Sequence, residues 1–243
     1  MSDLRVVFAT PCYDGKVHTG YLESMIRTVT ELERRGISHT HLIVNGICHV
    51  EHARNLLAQR FLDTLGTHLF FIDSDLSWQA DAVYRMLNRD LDIIVGLYPL
   101  KQAAEEYPAD FSVSGERRLV GIIGRDGQSL PRLIFAPTGF MCIRRNVLCR
   151  MIAAYPETKF REQTVTGETV DLHCLFSCEC EDGVWYGEDV YFCKRWRAIG
   201  GEIYLEPNID FTHCGTRHFW GNWHKFALRQ MAAAPRTMPA AAE

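Results

Sequence analysis

The chain has 243 residues, of which 47% are hydrophobic and 23% are charged, a composition typical of a folded globular protein. Its net charge of −4 excludes an overall basic surface for nucleic acid, although local basic clusters occur within residues 144–145, 194–197 and 217–229. The nine cysteines form no regular framework and favour reduced thiols. No N-terminal segment resembles a signal peptide and no apolar run is long enough to span a membrane, so a cytoplasmic protein is predicted.

Strand-like and helix-like segments alternate through residues 1–100. The predicted elements are a strand over 4–10 that ends at Pro11, a helix over 21–35 that stops at Gly36, a strand over 41–44, a helix over 50–65, a strand over 68–72, a helix over 79–89 and a strand over 93–97. Such alternation predicts an α/β fold with a mostly parallel central sheet flanked by helices.

The second half is less regular. Residues 105–130 are polar and loop-like, with a hairpin predicted around residues 124–127. Two strands, over 133–135 and 140–143, flank Pro137-Thr138-Gly139, and helices are predicted over 145–155 and from Glu188 to the stop at Gly200-Gly201. The pattern predicts one domain over residues 1–231, followed by an Ala/Pro-rich disordered tail over 232–243.

Two aspartates stand directly after the most apolar predicted strand, in Phe70-Phe71-Ile72-Asp73-Ser74-Asp75. At spacing i and i+2 in an extended backbone, both carboxylates point the same way. Ligands of open α/β sheets bind beyond the carboxyl ends of strands, and hard oxygen ligands suit magnesium or manganese that shares its shell with phosphates. Taken alone, the triplet is also ordinary turn or helix-cap chemistry.

A second group of metal-ligand types is His173-Cys174 with Cys178 and Cys180. Their density suits zinc, but the spacing matches no standard zinc motif. Structural cysteines are the favoured interpretation.

Four motifs in chain order resemble those of GT-A glycosyltransferases, close to the family-2-like group. They are Thr10-Pro11-Cys12-Tyr13, Asp73-Ser74-Asp75, Gly187-Glu188-Asp189 and Thr212-His213-Cys214-Gly215. The resemblance extends to about Trp220. It implies a GT-A type, Rossmann-like sheet with a donor-binding half at about 1–100 and an irregular acceptor-side half at about 101–231.

The resemblance also implies roles for individual residues. The nucleotide base would meet Thr10, Pro11 and Tyr13, with Arg54, Asn55 and Asp73 near the nucleotide and Gly139 close to the donor sugar. Mn²⁺ or Mg²⁺ would be held by Asp75 and His213, with Asp73 acting through water or the ribose. Asp189 would be the general base, and Glu188 its reserve.

The implied activity is metal-dependent transfer of one sugar from a nucleoside-diphosphate-sugar, with a UDP-sugar favoured, to a hydroxyl acceptor. An inverting outcome is favoured and a retaining one stays open. The chain lacks the Gln-x-x-Arg-Trp motif of processive synthases, so a single transfer is expected.

Several alternatives remain open. A sugar-nucleotide nucleotidyltransferase is disfavoured because no Gly-rich loop follows the first strand. Another alternative is a non-catalytic module that only binds a nucleotide-sugar. Such a module would not need the acidic residues of these motifs, so their presence argues against it. The acceptor is undetermined; the aromatic and basic residues 218–225 make hydroxymethylated bases of phage DNA a minority hypothesis.

Some site residues also have ordinary structural explanations. Glu188 and Asp189 suit any helix N-terminus, His213 suits a buried hydrogen bond, and Arg54 suits a surface ion pair. Residues 137–139 suit a turn, and Trp185, Trp220 and Trp223 are either core or stacking platforms.

Overall fold

The structure is a computed structural model that describes residues 4–113, 119–163, 167, 169–215 and 217–233. The elements of the first half are β1 (Arg5–Cys12), α1 (Thr19–Arg34), β2 (Ser38–Asn45), α2 (Val50–Leu62), β3 (His68–Ile72), β4 (Leu76–Trp78), α3 (Ala82–Asn88) and β5 (Ile93–Val95). The predicted alternation of strands and helices is therefore confirmed.

The second half contains mostly strands. Its elements are β6 (Asp110–Phe111), β7 (Gly121–Ile123), β8 (Ser129–Phe135), β9 (Phe140–Arg144), α4 (Arg145–Ala154), a 3-10 turn (Pro156–Thr158), β10 (Lys159–Gln163), β11 (Thr169–His173), β12 (Glu179–Glu181), β13 (Val184–Tyr186), α5 (Glu188–Ala198), β14 (Ile203–Leu205), β15 (Phe211–Cys214), β16 (His218–Gly221) and α6 (Trp223–Ala233).

A nine-stranded sheet forms the centre, with the order β2-β1-β3-β9-β5-β14-β8-β6 and β7 paired to β8. Strands β2, β1 and β3 are parallel, as are β5 and β14, and β9 lies antiparallel between β3 and β5. The carboxyl ends of β1, β3 and β5 consequently meet at one edge. This is the predicted central sheet, largely parallel and flanked by helices.

Helices cover both faces of the sheet, and β3 is therefore buried on both sides. Leu69 and Phe71 belong to one core cluster, which includes residues of α2, α4 and α5. Phe70 and Ile72 belong to the other, which includes residues of α1 and α3. These four side chains of β3 are thus fixed by packing, so the strand delivers Asp73 to a defined position.

A small sheet with the order β16-β15-β4 lies next to the end of β3. Strand β4 pairs antiparallel with β15, so that His213 is opposite Leu76. The amide of Cys214 donates to the carbonyl of Asp75 at 2.8 Å. This pairing brings a late segment of the chain to the aspartate motif.

Some predicted boundaries differ from the structure. Pro11 lies inside β1, where it is opposite Val44, rather than ending the strand. The helix after the aspartates begins at Ala82 rather than at residue 79, because residues 79–81 form the turn between β4 and the helix. The predicted hairpin around 124–127 is present as β7 and β8, but β8 begins at Ser129.

The tail was predicted from residue 232, but residues 232 and 233 belong to α6. Helix α6 extends to Ala233, and the remaining residues of the predicted disordered tail, 234–243, lie outside the described residues. Within the described ranges, none of the helices combines the length and apolar character that crossing a bilayer requires.

Candidate active site

Asp73 is the first residue after β3, and its surroundings leave room only for glycine at position 139. The amide of Asp73 donates to the carbonyl of Gly139 at 2.9 Å. A Cβ added at Gly139 would lie 2.3 Å from Oδ2 of Asp73 and 2.4 Å from the hydroxyl oxygen of Tyr98. Burial, together with the charge of Asp73, raises the pKa of Tyr98 well above its ordinary value. Tyr98 therefore stays a neutral hydroxyl beside the carboxylate.

Arg54, on α2, joins the end of β3 to the start of α5. Its guanidinium lies 3.4 Å from Asp73 and also pairs with Glu188, while its own side chain is only 6% exposed. Burial works to lower the pKa of Arg54, but the charges of Asp73 and Glu188 outweigh it and the pKa is raised. Burial raises the pKa of Glu188, and Arg54 partly offsets that rise. The two acids are thus held by one buried cation.

Asp75 lies between a lysine and a histidine. Its Oδ2 is 2.5 Å from Nζ of Lys101, and its Oδ1 is 3.6 Å from Nε2 of His213. Burial works to raise the pKa of Asp75, but its interactions with His213 and Lys101 outweigh it and lower the pKa to about 2. Asp75 is therefore a carboxylate throughout the physiological range.

His213 presents one particular nitrogen to Asp75. Its Nδ1 is 2.8 Å from the carbonyl oxygen of Pro99, which accepts a hydrogen bond but cannot donate one. That contact fixes the tautomer in which a neutral ring keeps the lone pair on Nε2. Nε2 is the nitrogen turned toward Asp75, so in the neutral ring it is the atom open to a metal ion.

The donor set around Asp75 fits a divalent cation that also uses ligands from a substrate. No group of three or more His, Cys, Asp or Glu side chains converges as a metal site within the described residues. Asp75 and His213 would supply two ligands, and Mn²⁺ accepts both carboxylate oxygen and imidazole nitrogen. Such ions commonly fill the remaining positions with waters and substrate phosphates. Asp73, which the sequence grouped with these ligands, is paired with Arg54 instead.

Glu188 and Asp189 form the first turn of α5, where carboxylates favour the helix N-terminus. Oδ1 of Asp189 accepts a hydrogen bond from the amide of Val190 at 2.7 Å. Among the described residues, no basic side chain pairs with Asp189 within 4 Å, whereas Glu188 is tied to Arg54. Asp189 is also partly exposed. Of the two acids, it is the one without a cationic partner among the described residues.

Thr10 and Pro11, near the end of β1, and Tyr13, just after it, differ in how much of each side chain is exposed. Thr10 is buried, and its hydroxyl oxygen lies 2.6 Å from that of Tyr21, under the sheet edge. Pro11 is half-buried within the strand. Tyr13 is 66% exposed, and its carbonyl accepts from the amide of Gly46 at 2.9 Å. Tyr13 alone of the three offers an open ring face.

Asn55 lies next to Arg54 in sequence but contacts a different segment. Its side chain donates to the carbonyl of Phe176 at 2.7 Å and accepts from the amide of Phe176 at 2.9 Å. Both polar groups of a buried amide are thereby satisfied by one backbone. Asn55 fixes the segment after β11, and its side chain does not face Asp73.

The three tryptophans named as core or stacking candidates differ in the exposure of their side chains. Trp223 is buried, whereas Trp185 and Trp220 are 68% and 71% exposed. Trp185 lies close to Gly187, since a Cβ there would be 3.8 Å from the indole. The nine cysteines are free thiols, and in the part of the chain that the structure describes, residues 173–180 do not gather as a metal site.

Tyr98 and Lys101 belong to the site but were not predicted. Both follow β5, whose carboxyl end lies at the same edge as that of β3. The sequence offered one indication of their role: ligands of such sheets bind beyond the carboxyl ends of the strands, and both residues follow a predicted strand. No motif marks either residue.

Comparisons with known proteins give structural neighbours only. No family model matches the chain, and no curated protein matches it in sequence. The neighbours among solved structures are GT-A glycosyltransferases, together with nucleotidyltransferases.

Three neighbours represent these structures. The structure of S. aureus TarS 1–349 with UDP-GlcNAc is 12% identical, covers 83% of this chain and 55% of that one, and has a TM-score of 0.42. GalNAc-T7 with UDP, GalNAc and Mn²⁺ is 11% identical, with 83% and 42% covered and a TM-score of 0.42. The inositol-1-phosphate CTP transferase from T. maritima is 10% identical, with 88% and 90% covered and a TM-score of 0.43. The chain thus spans about half the length of the TarS chain that it matches.

Proposed function

We propose that the protein is a metal-dependent glycosyltransferase that moves one sugar from a nucleoside-diphosphate-sugar to a hydroxyl acceptor. The observation that carries this proposal is the convergence of two functional groups at one sheet edge. One is the Asp75–His213 pair, which suits a cation that binds phosphates. The other is Asp189, next to the Arg54–Glu188 pair, whose carboxylate no basic side chain of the described residues approaches within 4 Å.

The donor is bound along the carboxyl ends of β1 and β3. Tyr13 offers its exposed ring to the nucleotide base. Asp73, held by Arg54, accepts hydrogen bonds from the ribose or from a bound water. When bound by Asp75 and His213, a divalent cation supplies positive charge that offsets the charge developing on the diphosphate.

The reaction is a displacement at the anomeric carbon. The acceptor oxygen forms a bond to that carbon, and its proton passes to the Asp189 carboxylate. The bond from the anomeric carbon to the diphosphate oxygen breaks, and its electron pair leaves with the nucleoside diphosphate. Attack from the face opposite the leaving group inverts the anomeric configuration.

The test is release of nucleoside diphosphate from a panel of UDP-, GDP- and dTDP-sugars with MnCl₂, measured with and without EDTA. We expect slow hydrolysis of one donor, which EDTA abolishes, because water replaces the missing acceptor. Asp75→Asn should remove the activity, whereas Asp63→Asn, an exposed residue at the end of α2, should retain it.

Two outcomes would contradict the proposal. One is the absence of donor turnover in the unmodified chain across the panel. The other is release of pyrophosphate from a nucleoside triphosphate and a sugar phosphate, which would identify a nucleotidyltransferase.

A further inference from the structure

Tyr98 lies within the candidate site, and none of the roles proposed above uses it. It comes shortly after β5, in a segment that the amide of Gly96 ties to the sheet by donating to the carbonyl of Phe140 at 3.0 Å. Its ring packs edge-on against Phe211 and His213, with ring centres 6.2 and 5.0 Å away. The side chain is only 7% exposed. These contacts fix the direction in which its hydroxyl points.

The hydroxyl of Tyr98 and one oxygen of Asp73 lie side by side next to Gly139. A Cβ at Gly139 would be 2.3 Å from Oδ2 of Asp73 and 2.4 Å from the hydroxyl oxygen of Tyr98. Because both oxygens lie so close to one point, a single ligand atom can be within hydrogen-bonding distance of both. The two residues therefore form one potential recognition element.

Neither of these two oxygens is engaged by the described residues. Arg54 approaches the other oxygen of Asp73, Oδ1, at 3.4 Å, and the Asp73 side chain is 26% exposed. The hydroxyl of Tyr98 makes no hydrogen bond within the described part of the chain. Its oxygen is also not one of the fully enclosed side-chain atoms that lack a partner, so a ligand can reach it.

The two oxygens have opposite roles in a hydrogen bond. Burial and the charge of Asp73 keep the pKa of Tyr98 high, so its hydroxyl stays protonated and donates, whereas the carboxylate of Asp73 accepts. A ligand hydroxyl can accept from Tyr98 and donate to Asp73 at the same time. An amide nitrogen can only donate, and a deoxy position can do neither. The pair therefore favours a hydroxyl over both.

The pair lies between the proposed metal ligands and the start of α5. On one side, the ring of Tyr98 contacts His213. On the other side, Asp73 is joined through Arg54 to Glu188, in the first turn of α5. In the proposed reaction the donor occupies the space between these two groups, since its diphosphate binds the cation and the proton acceptor belongs to α5.

We propose that Tyr98 and Asp73 together recognise one hydroxyl group of the bound nucleotide-sugar, on its ribose or on its transferred sugar, and that Tyr98 thereby selects among donors. The inference rests on the glycosyltransferase function proposed above and adds a specificity-determining residue to it. The ligand hydroxyl accepts from Tyr98 and donates to Oδ2 of Asp73. A donor with an acetamido group or a hydrogen at that position binds more weakly.

The test measures the Kd of the full chain for a panel of UDP-, GDP- and dTDP-sugars with MnCl₂, by calorimetric titration. For the nucleotide-sugar that binds most tightly, Tyr98→Phe should raise the Kd about three- to tenfold, because one hydrogen bond is lost. Tyr204→Phe is the matched control. Tyr204 is also 7% exposed, but its hydroxyl donates to Glu202 at 2.5 Å, so the Kd should not change.

Deoxy analogues of that nucleotide-sugar separate recognition from a structural role. Each analogue lacks one hydroxyl of the ribose or of the transferred sugar, and its Kd is measured for the unmodified chain and for Tyr98→Phe. We expect one analogue to bind Tyr98→Phe at least as tightly as the unmodified chain, because it lacks the hydroxyl that Tyr98 recognises. The position altered in that analogue identifies the ring that carries the hydroxyl.

The outcomes separate this inference from the proposed function. An unchanged Kd in Tyr98→Phe, or an equal rise for every deoxy analogue, would overturn the recognition by Tyr98. Donor hydrolysis by the unmodified chain, measured in parallel, reports on the glycosyltransferase function alone. A donor that is hydrolysed, and that Tyr98→Phe binds normally, disproves the role of Tyr98 and leaves the function standing. Failure of every nucleotide-sugar to bind would overturn both.

Discussion

Lys101 places its ammonium nitrogen 2.5 Å from Oδ2 of Asp75, on the carboxylate oxygen opposite the one that faces His213. The carboxylate is therefore shared by a cation from the segment after β5 and an imidazole from β15. A divalent cation bound by Asp75 must compete with the lysine charge. Lys101 would thus lower the affinity of the proposed site for metal.

Replacing Lys101 should strengthen metal binding. In Lys101→Met the competing charge is lost, and since the lysine is 40% exposed, we expect the Kd for Mn²⁺ without donor to fall about three- to fivefold. Calorimetric titration with MnCl₂ measures the change. Lys225→Met breaks a comparable exposed pair with Asp210 and is the matched control. Equal or weaker Mn²⁺ binding by Lys101→Met would refute the competition.

Gly139 should tolerate no side chain. In Gly139→Ala the new methyl group would meet Asp73 and Tyr98 at 2.3 and 2.4 Å, so both must move. We expect a loss of about 1–3 kcal/mol in unfolding free energy from overpacking, and donor turnover reduced at least about tenfold. Urea denaturation and the hydrolysis assay measure the two effects. Gly20→Ala, on α1, where the nearest atom to the new methyl group would be Cβ of Ser77 at 3.1 Å, should cost less on both measures.

Arg54 should matter for stability as well as for activity. Arg54→Met leaves Asp73 and Glu188 as partly buried charges without their cation, and we expect a loss of about 3 kcal/mol. The loss should shrink at low pH. The folded-state pKa of Glu188 is already raised and rises further without Arg54, so its protonation removes the unpaired charge. Urea denaturation at several pH values measures this, and a loss independent of pH would contradict it.

The aspartate site was predictable only in part. Strand β3 was readable because four of its five residues are apolar, and the aspartates follow directly; the structure buries the strand on both faces. The approach of His213 to Asp75 depends on β4 pairing with β15, distant in sequence, and the insertion of β9 between β3 and β5 is equally non-local. Pairings of that kind leave no local pattern.

Asn55 shows a different limit of sequence reasoning. The prediction grouped it with Arg54 near the nucleotide. Neighbours on a helix point about 100° apart, since the helix has about 3.6 residues per turn. When Arg54 faces the sheet edge, Asn55 must face elsewhere, and it bonds to Phe176. Adjacency to a functional residue on a helix therefore argues against a shared role.

His68 should make the fold sensitive to mild acid. Burial, together with the charge of Arg144, lowers its pKa from 6.5 to about 4. Between pH 6.5 and about pH 4, His68 is therefore protonated in the unfolded chain but neutral in the folded chain. The stability from neutral His68 is present above pH 6.5 and is lost as pH falls toward 4, by about 3 kcal/mol in total.

The variant His68→Gln isolates this effect. Its unfolding free energy, measured in urea between pH 7 and 4, should fall less steeply than that of the unmodified chain. His18→Gln, an exposed histidine before α1, should keep the steep fall. Parallel curves for the unmodified chain and His68→Gln would show that His68 does not titrate with a lowered pKa.

Replacing each of the two acids of α5 should impair the enzyme in a different way. Asp189→Asn removes the proposed base, and we expect kcat for sugar transfer to fall about 10²- to 10⁴-fold, with the KM for donor little changed. Glu188→Gln leaves Asp189 in place but removes the charge paired with Arg54. Its main effect should therefore be on stability and on the position of Arg54 and Asp73, seen as a higher KM for donor. If Glu188→Gln abolishes kcat and Asp189→Asn does not, the base is Glu188, and Arg54 would then act by holding its carboxylate toward the acceptor.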